Sequence, residues 1–314
     1  MRRLTVLASA ILVSSVSGAQ DDAPDAGKKE KQPPPPPPKV ELIDPGKDPK
    51  TTLRYKVLQG AKQQLVMTMK MDLSQATNGI RLPAQSLPGQ KITADMTVTS
   101  VEKDKIAYDL IIRAVELVET EEVDPQVIGI MESMVEQLIG AKASTVITTR
   151  GIVEKTEWVD EGASSQALQQ QLALSSTLQS TWNVLPEEPV GSGGKWKVTA
   201  DIEANSIRMQ QASTVELDSN TGGVRKLKVK IEQNAEPQDF RPPGAPPAAK
   251  ARVKSMVGTG SGEILFDPTK LLPQKVTLET STDMKLSTEF GGVSRDVSSQ
   301  IKLRIGIEIK DLKE

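Results

Sequence analysis

The chain of 314 residues contains no histidine and no cysteine. The absence of cysteine rules out disulfide bonds, so packing and strand pairing must hold the fold together. Zinc sites built on imidazole or thiolate are excluded, as are the Ser-His-Asp and Cys-His nucleophile systems. An enzyme would need paired carboxylates, a Ser-Lys pair or a metal held by carboxylates alone. The adjacent Glu187 and Glu188 would point apart on an extended chain. We therefore predict a protein that is not an enzyme and needs no cofactor.

Aromatic residues are scarce, at 3% of the chain, whereas hydrophobic residues of all kinds make up 37%. A core can therefore form, but from Val, Ile, Leu and Met rather than from stacked rings. The chain also lacks an excess of charge of one sign, since 39 basic residues stand against 41 acidic ones. Nucleic-acid-binding surfaces need an excess of basic charge on one face, so we expect no nucleic-acid partner.

Long apolar runs are missing except at the start of the chain. Arg2 and Arg3 precede the apolar run Leu4–Val16, and the small residues Ser17-Gly18-Ala19 follow it. This order is typical of a signal peptide, which we place at residues 1–19 with cleavage after Ala19. An uncleaved anchor would need about 20 apolar residues. We expect a soluble protein, periplasmic or extracellular, that does not span a membrane after cleavage and, without cysteine, carries no lipid anchor.

Residues 20–50 are predicted to be a disordered linker. The six consecutive prolines Pro33–Pro38 fix φ and lack N–H groups, so they favour an extended polyproline II spacer. A ligand for a proline-binding module is the alternative interpretation. The folded domain is then predicted over residues 51–314, beginning with a short strand at Leu53–Leu58.

Most of this domain alternates apolar and polar residues with a period of two, which indicates β-strands with one dry face. The stretch Gly258–Leu286 predicts strand, turn, strand: Ile264 and Phe266 alternate with polar neighbours, and after the turn Val276, Leu278, Thr280, Thr282 and Met284 do the same. The run Leu65–Leu73 is the most regular, and it carries a stripe of methionines.

Two segments show helical spacing instead. Apolar residues recur at three- and four-residue steps over 125–140, after a proline suited to a first helical turn. The segment 164–182 is rich in Gln, Ser, Ala and Leu. We therefore predict an α+β fold, with a large twisted antiparallel sheet that can take the form of a half-barrel and two covering helices. A split near residue 183 into two similar halves is the alternative.

An acidic cluster follows the strand Ile106–Val118. Carboxylate oxygens are the ligands that calcium takes, but the spacing of the cluster does not match a calcium loop. A solvated edge is the simpler interpretation. Its members are Glu116, Glu119, Glu121, Glu122 and Asp124.

The stretches LPEEPVGSGGKW (Leu185–Trp196) and GTGSGEILFDPTKLLPQ (Gly258–Gln274) resemble a family of exported bacterial proteins that share a domain of unknown function. That family has a Pro-Val-Gly turn before a tryptophan-bearing strand and a glycine-rich strand ending in Phe-Asp. Leu53–Lys56 and Arg150-Gly151 also fit. The resemblance implies an envelope or secreted location and supplies no catalytic residues. A more distant resemblance is to the half-barrels that carry lipids and lipoproteins in the periplasm.

These observations lead to two functional hypotheses. The first is a non-catalytic envelope protein that binds or carries an apolar ligand or a lipid in a groove between sheet and helices. The second is a structural or protein-interaction domain of the envelope without a small-molecule ligand. Methionine suits the first because it adapts to ligands of varied shape, although it also fills ordinary cores. The groove residues predicted by the first hypothesis are Met67, Met69, Met71, Met96, Met131 and Met134.

Overall fold

The structure is a computed structural model, and it describes residues 36–119, 123–159, 171, 174, 184–204, 206–241, 249–290 and 292–312. Within them the strands are β1 (Lys39–Asp44), β2 (Lys47–Thr51), β3 (Lys62–Thr77), β4 (Ile80–Arg81), β5 (Gln85–Ser86), β6 (Gly89–Glu102), β7 (Lys105–Val118), β8 (Lys142–Thr148), β9 (Val153–Trp158), β10 (Val190–Ser192), β11 (Lys195–Ala204), β12 (Ile207–Thr221), β13 (Val224–Ala235), β14 (Gln238–Phe240), β15 (Lys250–Phe266), β16 (Lys275–Phe290) and β17 (Val293–Asp311). One helix, α1 (Pro125–Glu136), lies between β7 and β8.

Fifteen of the strands form one antiparallel sheet. It consists of two meanders, β3-β6-β7-β8-β9 and β11-β12-β13-β15-β16-β17, which are joined where β17 pairs with β3. Strand β1 extends the sheet beyond β11, the short strands β4 and β5 pair with β3, and β14 pairs with β15. Strands β2 and β10 pair with each other in a separate small sheet.

The sheet curls around a single main core on its inner face. Both of its edges supply residues to that core: Val40 and Leu42 come from β1, and Val153 and Trp158 from β9. Because strands at opposite edges share one apolar cluster, the inner face is concave and the outer face meets water. Because apolar and polar residues alternate with a period of two, each strand presents its apolar side to the core and its polar side to water.

One end of the curled sheet, here called the packed end, is filled by non-strand segments. Tyr55 and the adjacent Lys56 donate their backbone N–H groups to the carbonyls of Thr149 and Pro268, at 2.8 and 2.6 Å. The Tyr55 ring meets the Phe266 ring edge to face, with centroids 5.0 Å apart. Trp196, fully buried, donates from its indole Nε1 to the Val184 carbonyl at 2.9 Å. Strand β7 runs toward the opposite end before the chain enters α1, and we call that end of the sheet the helix end.

The predicted antiparallel sheet is confirmed, but the predicted α+β class with two covering helices is wrong. Strand accounts for 68% of the structure and helix for 6%. The reason is that the segments with period-two alternation extend into strands that are longer than expected. Strand β15 has 17 residues and strand β17 has 19. The predicted helix at 125–140 corresponds to α1, capped by Asp124. The predicted helix at 164–182 lies outside the described residues apart from Gln171 and Leu174, which are helical and buried.

Two predicted boundaries at the start of the domain also differ from the structure. Strands β1 and β2 lie inside the segment predicted as linker, which therefore ends before residue 39. The segment predicted as a strand at Leu53–Leu58 is not a strand, because its backbone bonds to loop carbonyls at the packed end rather than to a ladder. The predicted signal peptide lies outside the described residues. No helix in the described part of the chain has both the length and the apolar character needed to cross a bilayer.

Candidate functional site

A band of residues across the middle of the inner face points inward and yet is only half-buried. It includes Met71, Leu303, Thr280 and Gly260, which are register partners on the neighbouring strands β3, β17, β16 and β15. Met69 and Ile301 flank this row and are half-buried as well. We call these six residues the central groove.

The inner face is closed on both sides of the central groove. Toward the packed end, Met67, Ile305 and Ile307 are buried, and toward the helix end Met284 and Leu286 are buried. These two sides belong to two apolar clusters, the main core and a smaller cluster at the helix end. The central groove is therefore the part of the inner face where apolar side chains remain accessible between two packed regions.

Three glycines on β15 shape this part of the sheet. Gly258, Gly260 and Gly262 alternate along the strand, so all three positions face inward. A Cβ on Gly262 would lie 2.1 Å from the Thr277 carbonyl oxygen, and one on Gly260 would lie 2.6 Å from Thr280 Cγ2. Atoms of β16 therefore lie unusually close to the β15 backbone here, and only glycine permits so close an approach.

A row of uncharged polar side chains lies beside the central groove. Gln211, Gln233, Gly258 and Thr282 are register partners on four adjacent strands. Gln233 donates from Nε2 to Gln211 Oε1 at 2.8 Å, and Thr282 donates to Gln233 Oε1 across Gly258 at 3.5 Å. Because Gly258 has no side chain, Gln233 can reach over it. We call Gln211, Gln233 and Thr282 the polar row.

The polar row is well shielded from water. Gln211 and Thr282 are each 7% exposed, whereas Gln233 is half-buried. Gln211 further donates to Ser213 Oγ at 3.5 Å. Burial of polar groups costs free energy unless they are hydrogen-bonded, and these bonds supply partners for some of the donors and acceptors of the row. The row therefore places hydrogen-bonding groups next to an accessible apolar surface.

Around the central groove, the charged side chains of the sheet lie on its outer face. There, cross-strand ion pairs include Lys226 with Glu263 at 2.7 Å and Arg304 with Asp72 at 3.2 Å. At the packed end, burial lowers the pKa of Arg225, whose guanidinium lies 5.9 Å from the centroid of the Phe266 ring. Burial also raises the pKa of both tyrosines, Tyr55 and Tyr108. The interior thus disfavours ionised groups.

The structure divides the six predicted methionines into two groups. Met67, Met69, Met71 and Met96 share the inner face of the paired strands β3 and β6, where Met67 and Met96 are buried in the core and Met69 and Met71 belong to the central groove. The other two lie on α1, which contacts β7 on the far side of β6. On that helix Met131 is buried and Met134 is half-buried.

The acidic residues that suggested calcium have other partners. Glu116 pairs with Lys91 at 3.0 Å, and Glu119 pairs with Lys70. Asp124 accepts a hydrogen bond from the Gln126 backbone as the N-cap of α1. Glu121 and Glu122 lie outside the described residues. In the part of the chain that is described, no three acidic side chains gather into a group that could hold a metal ion.

The sequence interpretation missed the glycines and the polar row as parts of a site. One signal was available: the GTGSG stretch places glycine at every second position, and Thr280 and Thr282 interrupt the apolar face of the next strand. Gln211 and Gln233 gave no signal, because they align only in the register of the folded sheet. No family model matches the chain, and no curated protein matches it. The family resemblance therefore stays a prediction.

Proposed function

We propose that this protein is an exported, non-catalytic envelope protein that binds or carries an apolar ligand or a lipid in the central groove. The observation that carries the proposal is the half-buried inward row of Met71, Leu303, Thr280 and Gly260 on a face that is otherwise packed. Apolar surface left in contact with water costs about 25 cal/mol for each Å², and a bound acyl chain would remove that contact.

The groove has the composition expected of such a site. Ligand sites are concave and mainly apolar, with a few polar groups that orient the ligand. Here Met69, Met71, Ile301 and Leu303 supply the apolar wall, and the polar row supplies hydrogen bonds. The methionine side chains adapt to chains of different length and branching because they are unbranched and flexible.

Purification of the protein from its native envelope, followed by mass spectrometry of co-purifying lipids, tests the proposal. The informative variant is Thr280→Asp, which places a carboxylate in the groove, and its control is Ser281→Asp. Both residues are half-buried neighbours on β16, but they face opposite sides of the sheet. We expect bound lipid to fall about tenfold or more in the first variant and to stay unchanged in the second. A wild-type protein without lipid would count against the proposal.

A structural or protein-interaction role is the second candidate. It is favoured by exposed apolar side chains on two neighbouring hairpins at the helix end: Ile80 is 71% exposed, Phe290 48% and Val293 56%. The hairpins are held together because Asp296 donates its backbone N–H to Asn78 Oδ1 at 2.9 Å. If the purified protein carries no lipid but retains an envelope protein that Phe290→Ser releases, this second role is supported instead.

A further inference from the structure

The polar part of a ligand in the central groove would meet only uncharged groups. Beside the groove, the strands that form it present Gln, Thr, Ser and apolar side chains inward, and their lysines and arginines face outward apart from Arg295 near the start of β17. Lys302 and Arg304, for example, flank Leu303 on β17 and are exposed. We propose that the ligand is a neutral lipid, bound through an uncharged hydrogen-bond acceptor such as an ester carbonyl, and not a free fatty acid or another anion. This inference rests on the proposed function.

On the strands that carry the central groove or the polar row, the nearest inward-facing cations lie far from the polar row. Arg295 precedes Ile301 on β17 by six residues, which is about 20 Å along a strand. Arg225 precedes Gln233 on β13 by eight residues, about 27 Å, and it lies at the packed end. Neither side chain spans such a distance.

Internal residues outside the described part cannot supply a cation either. The sequences of 120–122, 160–183, 205, 242–248 and 291 contain no lysine or arginine. They do contain acids, at Glu121, Glu122, Asp160 and Glu161. Neither the groove strands near the polar row nor these internal segments supply a counter-ion, so an ionised carboxylate bound there would be buried unpaired, which costs several kcal/mol and favours its expulsion.

The polar row offers a donor of the kind that a neutral carbonyl needs. Gln233 uses one N–H for Gln211 Oε1 and its own oxygen for Thr282, and among the described residues its second N–H has no partner. An amide carries two N–H donors, so one is left for a ligand. Gln233 is half-buried and lies one inward row from Gly260 and Thr280, about 7 Å along the strands. A carbonyl at the edge of the groove is within reach of that donor.

The test compares two ligands with the same acyl chain, one a neutral methyl ester and the other an ionised carboxylate. Methyl palmitate and palmitate are each used to displace Nile red, an uncharged probe, from the mature protein at about pH 8, well above the ordinary carboxyl pKa. We expect the ester to displace the probe at about a tenfold lower concentration than the acid. Leu303→Lys, which adds a cation to the groove, should reduce or reverse the difference between the displacing concentrations of ester and acid. Val257→Lys, on the exposed outer face, should leave that difference unchanged.

The outcomes separate the two proposals. Equal or stronger binding of palmitate to the wild-type protein overturns the neutral-ligand inference and leaves the carrier role in place. Failure of Nile red and of both ligands to bind overturns the carrier role itself. Gln233→Leu provides a second measurement: it should weaken ester binding by about tenfold, after correction for the Nile red affinity of each variant, whereas Val257→Leu on the outer face should not. An unchanged ester affinity in Gln233→Leu would contradict the role of the polar row.

Discussion

At the scale of single residues, Gly262 is the position where the inner face leaves least room. The Thr277 carbonyl oxygen and Leu278 Cδ2 would lie 2.1 and 2.5 Å from a Cβ there. A backbone oxygen cannot rotate away, so Gly262→Ala must move strand β16 or the ladder between the strands. We expect the free energy of unfolding, measured by urea denaturation, to fall by about 1–3 kcal/mol.

A matched glycine elsewhere controls for the substitution itself. Gly129 is exposed on α1, and a Cβ added there would meet no atom of another element within 4 Å. Alanine is the better helix former, so Gly129→Ala should raise the free energy of unfolding by about 0.5–1 kcal/mol. Equal effects of the two substitutions would show that close strand approach does not determine the requirement at Gly262.

Residue types along the chain predicted which side of a strand faces inward, but not which inward residues are accessible. Val276, Leu278 and Met284 are buried as their alternation indicated, whereas Thr280 in the same series is half-buried. Thr280 is paired with Gly260, but Leu278 and Thr282 are also paired with glycines and are buried, so accessibility depends on more than the residue opposite. Such pairings depend on register, and register is a property of two strands rather than of one.

At the scale of elements, the segment that contains β1 and β2 is built into the fold. Val40 and Leu42 pack against the main core, and the Gly191 backbone N–H donates to the Pro45 carbonyl at 2.9 Å. A Cβ on Gly191 would lie 1.6 Å from the Lys47 carbonyl oxygen, so the segment lies directly against the turn before β11. Its removal would uncover the edge of β11 and part of the core.

We therefore expect a chain that begins at residue 52 to be less stable than one that begins at residue 36. The melting temperature should fall by about 2–4 °C, since the loss of two packed apolar side chains costs at least about 1 kcal/mol and a large domain loses about 2–4 °C for each kcal/mol. Differential scanning calorimetry of the two chains measures this. Equal melting temperatures would mean that β1 and β2 add nothing to the fold.

Long elements were predictable because their signal is local and repeated. The strands β3, β15, β16 and β17 each carry many alternations, and α1 carries a proline at its start and a glycine after its end. Short elements were not. Strand β1 has only two inward apolar residues and follows a proline tract, so it could not be distinguished from linker. Leu53–Leu58 alternates like a strand, but tertiary contacts at the packed end decide its path.

At the scale of the whole molecule, the two tyrosines of the chain make stability depend on pH. Tyr55 and Tyr108 are 2% and 4% exposed, and burial raises the pKa of both phenols above their ordinary value. The folded state keeps the two protons that the unfolded chain releases above about pH 10. This contribution to stability is complete below about pH 10 and declines as the pH rises further, by about 1.4 kcal/mol per pH unit for each tyrosine.

An alkaline titration tests this prediction. Phenolate absorbance in the ultraviolet should appear together with the loss of circular dichroism, in one cooperative step, because neither ring can ionise in place. Tyr108→Phe should halve the absorbance change and reduce the dependence of unfolding on pH. Gradual ionisation near pH 10 in a protein that remains folded would contradict the burial of these rings.

The overall class of the fold was harder to predict than its parts. Alternation indicates strands, but it does not reveal how many join one sheet or that β17 pairs with β3. The balance between helix and strand was misjudged because the strands are longer than their most regular stretches. The concave face follows from the curling of the sheet, which the glycines of β15 indicate only once its neighbours are known.

The pairing of β17 with β3 has a consequence for how the molecule is made. Gln63 and Asp311, which meet at this seam, are 248 residues apart in sequence. Each meander can form from local hairpins, but β3 and β17 can pair only after β17, the last strand, has been synthesised. Contacts so distant in sequence slow folding, and until they form the edges of β3 and β17 are open to pairing with other chains. A chaperone that shields these two edges during biogenesis would act at the step where this chain is most prone to aggregate.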